Sequence, residues 1–373
     1  MTRQMIKLGL ITGDLKPNTT GIGTYTYQLI ENIRDEADIT LIKHPLGDDA
    51  PGCSSAVSSF PQGNFSHIVW SQALSLKKKY LKKFDIIHNP AQYPVSPKIN
   101  PNYVITIHDL IPILYPEYVG LTFSTQAKLF YPISIRQASK IITVSQHTKN
   151  DIMRLYKVPD EKIEVIYSGV ADHFKPASIE EMQRIRNKYN LIKPFILFVG
   201  AIEPKKNLEL LLKAFQVCQK KMPELHLVIA GKRAWKFESI FTLVETLNIK
   251  GKTRFLDFVP YEDLPGLYSA AKIFVFPSRY EGFGLPPLEA MKCGTPVITS
   301  NVSSLPEIVG KEGLMVSPDD HIQLAESILK ISSDPEFHSI FSAYSLKRAE
   351  LFSWKKTGRE TLKVYNSVID AGY

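Results

Sequence analysis

Pro277 to Pro296 reads Pro-Ser-Arg-Tyr-Glu-Gly-Phe-Gly-Leu-Pro-Pro-Leu-Glu-Ala-Met-Lys-Cys-Gly-Thr-Pro. It follows the apolar run Ile273 to Phe276, short enough for a buried strand. Gly282 and Gly284 supply a loop, and Pro286 and Pro287 fit a first helical turn, where no amide partner is lost. A helix is therefore predicted from about Leu285. Its unpaired amides and positive dipole end face back toward the strand's carboxyl edge, where an anion such as a diphosphate is stabilised. Glu281 and Glu289 are eight residues apart, so both can face one pocket but cannot share a straight helical face. Spacing alone equally allows a tight turn with a solvated Glu281 and a Glu289 in a helix surface pair. Carboxylates beside a phosphate site suit sugar and ribose hydroxyls, which donate charge-assisted hydrogen bonds to them.

The strand, turn and helix order of this segment recurs along the chain, as in βαβ units built on a parallel sheet. Strands are predicted at Ile6 to Thr12, Asp38 to Lys43, Phe84 to His88, Tyr103 to His108, Lys140 to Val144 and Ile163 to Ile166. A second set lies at Phe195 to Gly200, His226 to Ala230, Arg254 to Phe258, Ile273 to Phe276, Val297 to Thr299 and Gly313 to Val316. Helical periodicity marks Thr24 to Arg34, Ser71 to Lys82, Ser124 to Ser139 and Ser145 to Lys157, the last with Ser145 as N-cap. Six and six imply two similar α/β domains. Gly169 and Pro176 break both periods within Tyr167 to Pro176, which places the boundary at 175/176. Phe352 to Lys355 begins another helical pattern, with Ser353 as its cap candidate. Ligands of open parallel sheets bind beyond the carboxyl ends of the strands.

The 373 residues are 44% hydrophobic, enough for two cores and too apolar for a disordered chain. A formal net charge of +8 suits anionic partners, yet no basic tail points to nucleic acid. Cys53, Cys218 and Cys293 lie far apart, so neither a disulfide framework nor a zinc site is expected. No apolar run reaches the ~18 residues of a transmembrane helix, and Ile6 to Thr12 lacks the length and cleavage site of a signal peptide. A cytoplasmic location is expected. Ser75 to Phe84 carries five lysines between Lys77 and Lys83, interleaved with Leu76, Tyr80, Leu81 and Phe84. They form either a solvated helix face or a patch for docking at an anionic inner membrane face.

The Glu281 to Glu289 segment resembles the Glu-x7-Glu motif of the retaining glycosyltransferases of family 4. Further landmarks follow in the family's order: Gly21-Ile-Gly23-Thr24-Tyr25, His108-Asp109, Val144-Ser145, Gly169, Gly200 with Glu203 to Asn207, Ala230-Gly231 and Phe258-Val259-Pro260. The wording of Glu203 to Asn207, Gly231 to Trp235 and Gly284 to Leu288 resembles a bacterial and archaeal mannosyltransferase-like branch. The resemblance implies a GT-B fold: two Rossmann-like α/β domains facing each other across a cleft. Residues 1 to 175, joined by the helix 354 to 373, would bind the acceptor, and residues 176 to 353 the nucleotide-sugar donor.

Residue by residue, the resemblance places Glu289 on the nucleotide ribose and Glu281 on hydroxyls of the transferred sugar. Phe283, Gly284 and Leu285 would offer backbone amides to the sugar and diphosphate, and Val259 would border the base. The family's arginine just after the strand-end glycine is missing, because Ala201 follows Gly200. Lys206 takes the family's lysine role, and Lys205 stands in for the arginine. The Gly21 to Thr24 loop resembles the family's glycine-rich loop, with Gly23 toward the donor and Gly21, Ile22 and Thr24 toward the acceptor. His108 would lie near the donor sugar and reacting phosphate, so His108, Glu281 and Lys206 form the expected catalytic set. Asp109 is expected to shape the following turn, and His88 to line the cleft.

The implied activity is retaining transfer of a hexose from a nucleoside diphosphate sugar to a glycan or lipid-linked saccharide. GDP-mannose is the first expectation for the donor; UDP-glucose, UDP-galactose and UDP-N-acetylglucosamine are the alternatives. No Asp-x-Asp sequence occurs, so no metal site and no cofactor are expected, and diphosphate charge falls to lysines, amides and a helix end. A non-catalytic sugar-nucleotide-binding relative is a weaker reading, since both glutamates, the lysine pair and His108 are present. A nicotinamide oxidoreductase needs the full glycine fingerprint, and Thr26 occupies its third position.

Overall fold

The computed structural model describes residues 5–13, 20–43, 49–57, 78–93, 102–234 and 236–372. It divides into two compact units, Met1–Gly169 with Ser353–Tyr373, and Val170–Phe352. The boundary thus falls six residues before the expected 175/176. A Cβ at Gly169 would lie 2.0 Å from the Trp354 backbone nitrogen, so this glycine closes the first unit against the returning chain.

The first unit holds a parallel sheet of β1 (Ile6–Gly13), β2 (Ala37–Lys43), β3 (Ser54–Val57), β4 (Ile86–Asn89), β5 (Tyr103–Ile107), β6 (Lys140–Thr143) and β7 (Ile163–Val165). Their spatial order is β3-β2-β1-β4-β5-β6-β7. β3 is absent from the sequence reading because Ser-Ser-Ala-Val is short and half polar; it pairs only with β2, at the sheet edge. Burial on both faces explains the apolar runs: every residue of β4 and β5 is buried. Helix Gln146–Tyr156 starts where expected, with the Ser145 hydroxyl accepting from the Thr148 amide at 3.1 Å. Helix Trp354–Ala371 likewise begins at a Ser353 cap, and its Thr357 hydroxyl donates to the Tyr167 carbonyl at 2.7 Å. Its amphipathic stripe buries Trp354, Leu362, Tyr365 and Val368 within this unit.

The second unit holds β8 (Phe195–Val199), β9 (His226–Ala230), β10 (Thr253–Asp257), β11 (Ile273–Phe276), β12 (Val297–Ser300) and β13 (Leu314–Val316). The order β10-β9-β8-β11-β12-β13 reverses between β8 and β11, which makes their carboxyl ends the topological switch point. β8 and β11 are the apolar centre, where the rings of Phe198, Phe274 and Phe276 stack at 5.8 to 6.0 Å.

One buried acid ties two helices of this unit together. Asp263, 1% exposed, precedes helix Leu264–Ala270 and accepts from Arg184 at 2.8 Å, from Lys188, and from the Tyr189 hydroxyl at 2.6 Å, all on helix Ile179–Tyr189. Burial alone would raise the Asp263 carboxyl, but Lys188, Tyr189 and Arg184 outweigh it and hold it below the usual range. Asp263→Ala should cost about 2 to 3 kcal/mol near neutral pH, measured by denaturant unfolding. A carboxyl held low stabilises above its ordinary value near 4. The wild-type advantage should therefore vanish as pH falls through the depressed value.

Candidate active site

Both loops at the switch point of the second unit carry predicted residues. After β8, Gly200 leads to a 3-10 turn Pro204–Lys206, and Asn207 takes a left-handed conformation with φ of 56°. The Asn207 amide group donates to the carbonyls of Pro277 at 3.1 Å and Pro318 at 2.8 Å, and the Arg279 amide donates to the Lys205 carbonyl at 2.8 Å. These bonds lock the β8 loop to the β11 loop.

The lock brings Lys206 onto Glu281, with the ammonium 2.6 Å from Oε1. Both side chains are nearly buried, and the ammonium also lies 4.9 Å above the Phe276 ring. Burial would push the Glu281 carboxyl up, but Lys206 and Lys205 hold it below the usual glutamate range, so it is an anion at neutral pH. The alternative of a solvated Glu281 is removed. Lys205 lies beside Glu203 at 3.4 Å. An ammonium has three donors, so Lys206 can hold Glu281 and still present N–H groups to a ligand.

Helix Leu285–Lys292 begins where the two prolines place it. Gly284 is its N-cap, with φ of 126°, a region an L side chain rarely adopts. Ser303 and Ser304 shape the preceding loop: the Ser303 hydroxyl accepts from the Glu281 amide at 3.0 Å, and the Ser304 hydroxyl meets the carbonyls of Glu281 and Phe283 at 2.9 and 2.6 Å. With those carbonyls engaged, the amides of Gly284 and Leu285 stand at the positive helix end without a partner among the described residues.

Glu289 is 9% exposed and accepts from the Tyr268 hydroxyl at 2.9 Å. Burial pushes its carboxyl up to about 7, with the tyrosine bond pulling the other way. Two glutamates of one loop and helix thus differ in state. Glu281 faces a cation and stays ionised, whereas Glu289 faces a hydroxyl and titrates near neutrality. Val259, also buried, follows β10 at the same sheet edge. Nearby, Lys232 lies 4.9 Å over the Phe258 ring, and Arg233 is 3.3 Å from Asp257.

The remaining predicted residues belong to the first unit. Gly21, Ile22, Gly23 and Thr24 are not a loop: they form the first turn of helix Gly21–Ile33. The reason is Thr20, whose hydroxyl accepts from the Gly23 amide at 3.0 Å and so starts the helix three residues earlier than periodicity suggests. Gly21 and Ile22 are exposed, while Gly23 and Thr24 are buried.

His108 follows β5. Its Nε2 lies 2.7 Å from the Pro90 carbonyl, which can only accept, so the proton is on Nε2 and Nδ1 keeps its lone pair. Burial pushes the ring down to about 4, so it is neutral at pH 7. Gln92 accepts from the His108 amide at 2.8 Å and donates to the Asp109 carbonyl at 2.9 Å, fixing the strand end. Asp109 shapes the turn as expected, accepting from the Ile111 amide at 3.0 Å. His88 lines nothing: it is fully buried between the Tyr365 hydroxyl at 2.6 Å and the Thr106 hydroxyl at 2.9 Å.

Lys77 and much of the predicted helix Ser71 to Lys82 lie outside the described residues, as does Trp235. Lys78–Leu81 forms one helical turn, but Leu81 and Phe84 point into the core of the first unit. Two apolar members of the expected surface patch are therefore unavailable to a membrane. No helix among the described residues is long and apolar enough to cross one.

A model of Glycosyltransferase Family 4 matches residues 19–174, and one of Glycosyl transferases group 1 matches residues 180–348. The O-antigen chain mannosyltransferase B of Escherichia coli is 32% identical over 96% of this chain and 99% of its own. The serotype-specific mannosyltransferase WbdA of Escherichia coli is 32% identical over 72% of this chain, which spans only 34% of that protein. Among solved structures, HepE of Anabaena in complex with UDP-glucose superposes with a TM-score of 0.76 at 19% identity, covering 97% of this chain and all of that one. Sucrose-phosphate synthase of Thermosynechococcus elongatus gives 0.78 at 23% identity, covering 99% of this chain and all of that one. Sequence and fold agree: the chain belongs to the family 4 glycosyltransferases and has the GT-B fold.

Proposed function

We propose that this glycosyltransferase moves mannose from GDP-mannose onto a glycan or lipid-linked saccharide, with retention of anomeric configuration and without a divalent metal. The observation that carries the donor site is the Lys206–Glu281 pair at the switch point, beside the amides of Gly284 and Leu285. Mannose is supported by the likeness, over nearly its full length, to a mannosyltransferase.

In this reading Lys206, Lys205 and the helix end take the charge that develops on the departing diphosphate. Glu281 accepts hydroxyls of the sugar, Glu289 accepts those of the ribose, and Val259 borders the base. The first unit contributes Gly21, Ile22 and Thr24 to the acceptor, and Gly23 and His108 to the donor. The Glu281 carboxylate is already held by Lys206, which makes it a poor nucleophile. Attack therefore occurs on the face the diphosphate leaves, with a leaving phosphate oxygen taking the acceptor's proton. Docking at an anionic membrane through the five lysines from Lys77 to Lys83 would be electrostatic and lost in high salt.

The direct test is transfer assayed with GDP-mannose, UDP-glucose, UDP-galactose and UDP-N-acetylglucosamine, each with and without chelator. GDP-mannose should be consumed and raise the melting temperature by mass action. Preference for a uridine donor would overturn the donor, and activity lost in chelator but restored by manganese would overturn metal independence.

Glu289 gives a pH signature. Only its ionised form is a full acceptor for ribose hydroxyls, so GDP affinity should rise up to about tenfold between pH 6 and 8. Glu289→Gln should flatten that rise, which separates it from the nucleotide's own titration. Without ligand the sign reverses. A carboxyl raised to about 7 stabilises below the ordinary glutamate range, and that contribution is lost as pH rises through 7. The ligand-free variant should therefore gain melting temperature on the wild type above pH 7. Parallel pH curves for both proteins would remove Glu289 from the ribose site.

A further inference from the structure

The opposite edge of the second sheet holds a cavity that the transfer reaction does not use. It is about 450 Å³ and lies at the amino ends of β8, β9 and β10. These strands are five residues long, so about 16 Å separates it from the loops carrying Gly200, Gly231 and Val259. Phe195 and Val228 form its buried apolar floor, and its rim carries Lys193, Lys250, Lys252 and Arg254.

The rim's positive charge is only partly compensated. Lys193 pairs with Glu224 and Lys250 with Glu245, but all four side chains are more than half exposed, where such pairs are weak. The Lys252 ammonium donates to the Pro223 carbonyl at 2.8 Å and shares Glu224 with Lys193, so one carboxylate answers two ammonium groups. The Arg254 side chain has neither ion pair nor hydrogen bond among the described residues. The strand register places Arg254 on the same sheet face as Val228 and Phe195, so with Lys252 it gives the apolar floor a cationic rim, a receptor for an oxyanion.

We infer that this cavity binds a phosphate-bearing ligand, its phosphate held by Lys252 and Arg254. The phosphate can come from a free phosphorylated compound or from a phospholipid headgroup; the chemistry at the rim is shared.

The probe is inorganic diphosphate added to the full chain already saturated with GDP, which occupies the proposed donor site. Amine acetylation read by mass spectrometry should show Lys252 protected by diphosphate, with the half-exposed Lys213 as an unprotected reference. Calorimetric titration should detect one site, weakened at least about tenfold in Lys252→Gln/Arg254→Gln. Lys206→Ala should leave this titration unchanged. Unaltered acetylation of Lys252 in the wild-type protein overturns the proposal whether or not the double variant folds, and equal affinity in wild type and double variant does so independently. A second arm uses phosphatidylglycerol vesicles. Sedimentation with vesicles that is competed by diphosphate and lost in the double variant assigns the phosphate to a lipid, and protection by diphosphate without sedimentation assigns it to a soluble compound. Failure of GDP to bind speaks against the donor site alone, since the acetylation experiment can be run without it.

Discussion

Lys206→Ala should lower kcat by about 10² to 10³-fold, the loss expected when one preorganised group facing developing charge is removed. Two costs add. In the proposed donor site the diphosphate loses a cation held in place by Glu281 and the Phe276 ring, and Glu281 is left as a nearly buried anion without its partner. The second cost appears in stability, of order 3 kcal/mol or more when one member of a buried pair is removed. Glu281→Gln separates the two. The amide oxygen still accepts from Lys206, so the fall in melting temperature should be smaller than in Lys206→Ala, while sugar hydroxyls lose an ionised acceptor and kcat falls. The double variant Lys206→Ala/Glu281→Gln should lose far less than the product of the single losses, because the residues act as one unit. Fully multiplicative losses would show that the two residues act independently, and a Lys206→Ala enzyme of near wild-type kcat would show that the pair serves only the fold.

The pair also marks where sequence reading succeeds and where it stops. Pro286, Pro287 and Gly284 predict the start of the helix because each acts through its own backbone, and the helix starts at Leu285. The apolar runs of β9 and β11 match the observed strands residue for residue, since burial on both faces leaves no polar alternation to confuse their ends. Three-dimensional partners are another matter. Tyr268, which meets Glu289, carries no local signal, and the Glu203 to Asn207 landmark does not say that Asn207 ties the two loops. Their bonds span 21 and 70 residues. Helix Gly21–Ile33 shows an intermediate case: Thr20 is a recognisable cap, but the glycines after it read as a loop. The charge states of Glu281 and Glu289 were equally hidden, because they depend on which neighbour folding brings to each carboxylate.

Gly231→Ala should be the most damaging single methyl in the second unit. Gly231 follows β9 with φ of 151°, and an added Cβ would fall 1.9 Å from the Gly200 carbonyl oxygen. That neighbour is backbone and cannot swing aside. It is also tied down: the Gly200 amide donates to Ala230 at 2.9 Å, the Gly231 amide to Asp257 at 2.6 Å, and the Ile202 amide to Lys232 at 2.9 Å. Relief requires the ends of β8, β9 and β10 to separate, at an expected 3 to 5 kcal/mol, about the upper range of single substitutions. The same separation shifts the segment leading to Lys206, so surviving enzyme should show weaker GDP binding as well as a lower melting temperature. Gly251→Ala is the matched control, since its Cβ meets nothing within 4 Å and should change stability by less than about 0.5 kcal/mol. If both variants melt alike, the close approach of Gly231 to Gly200 does not organise the donor edge of the sheet.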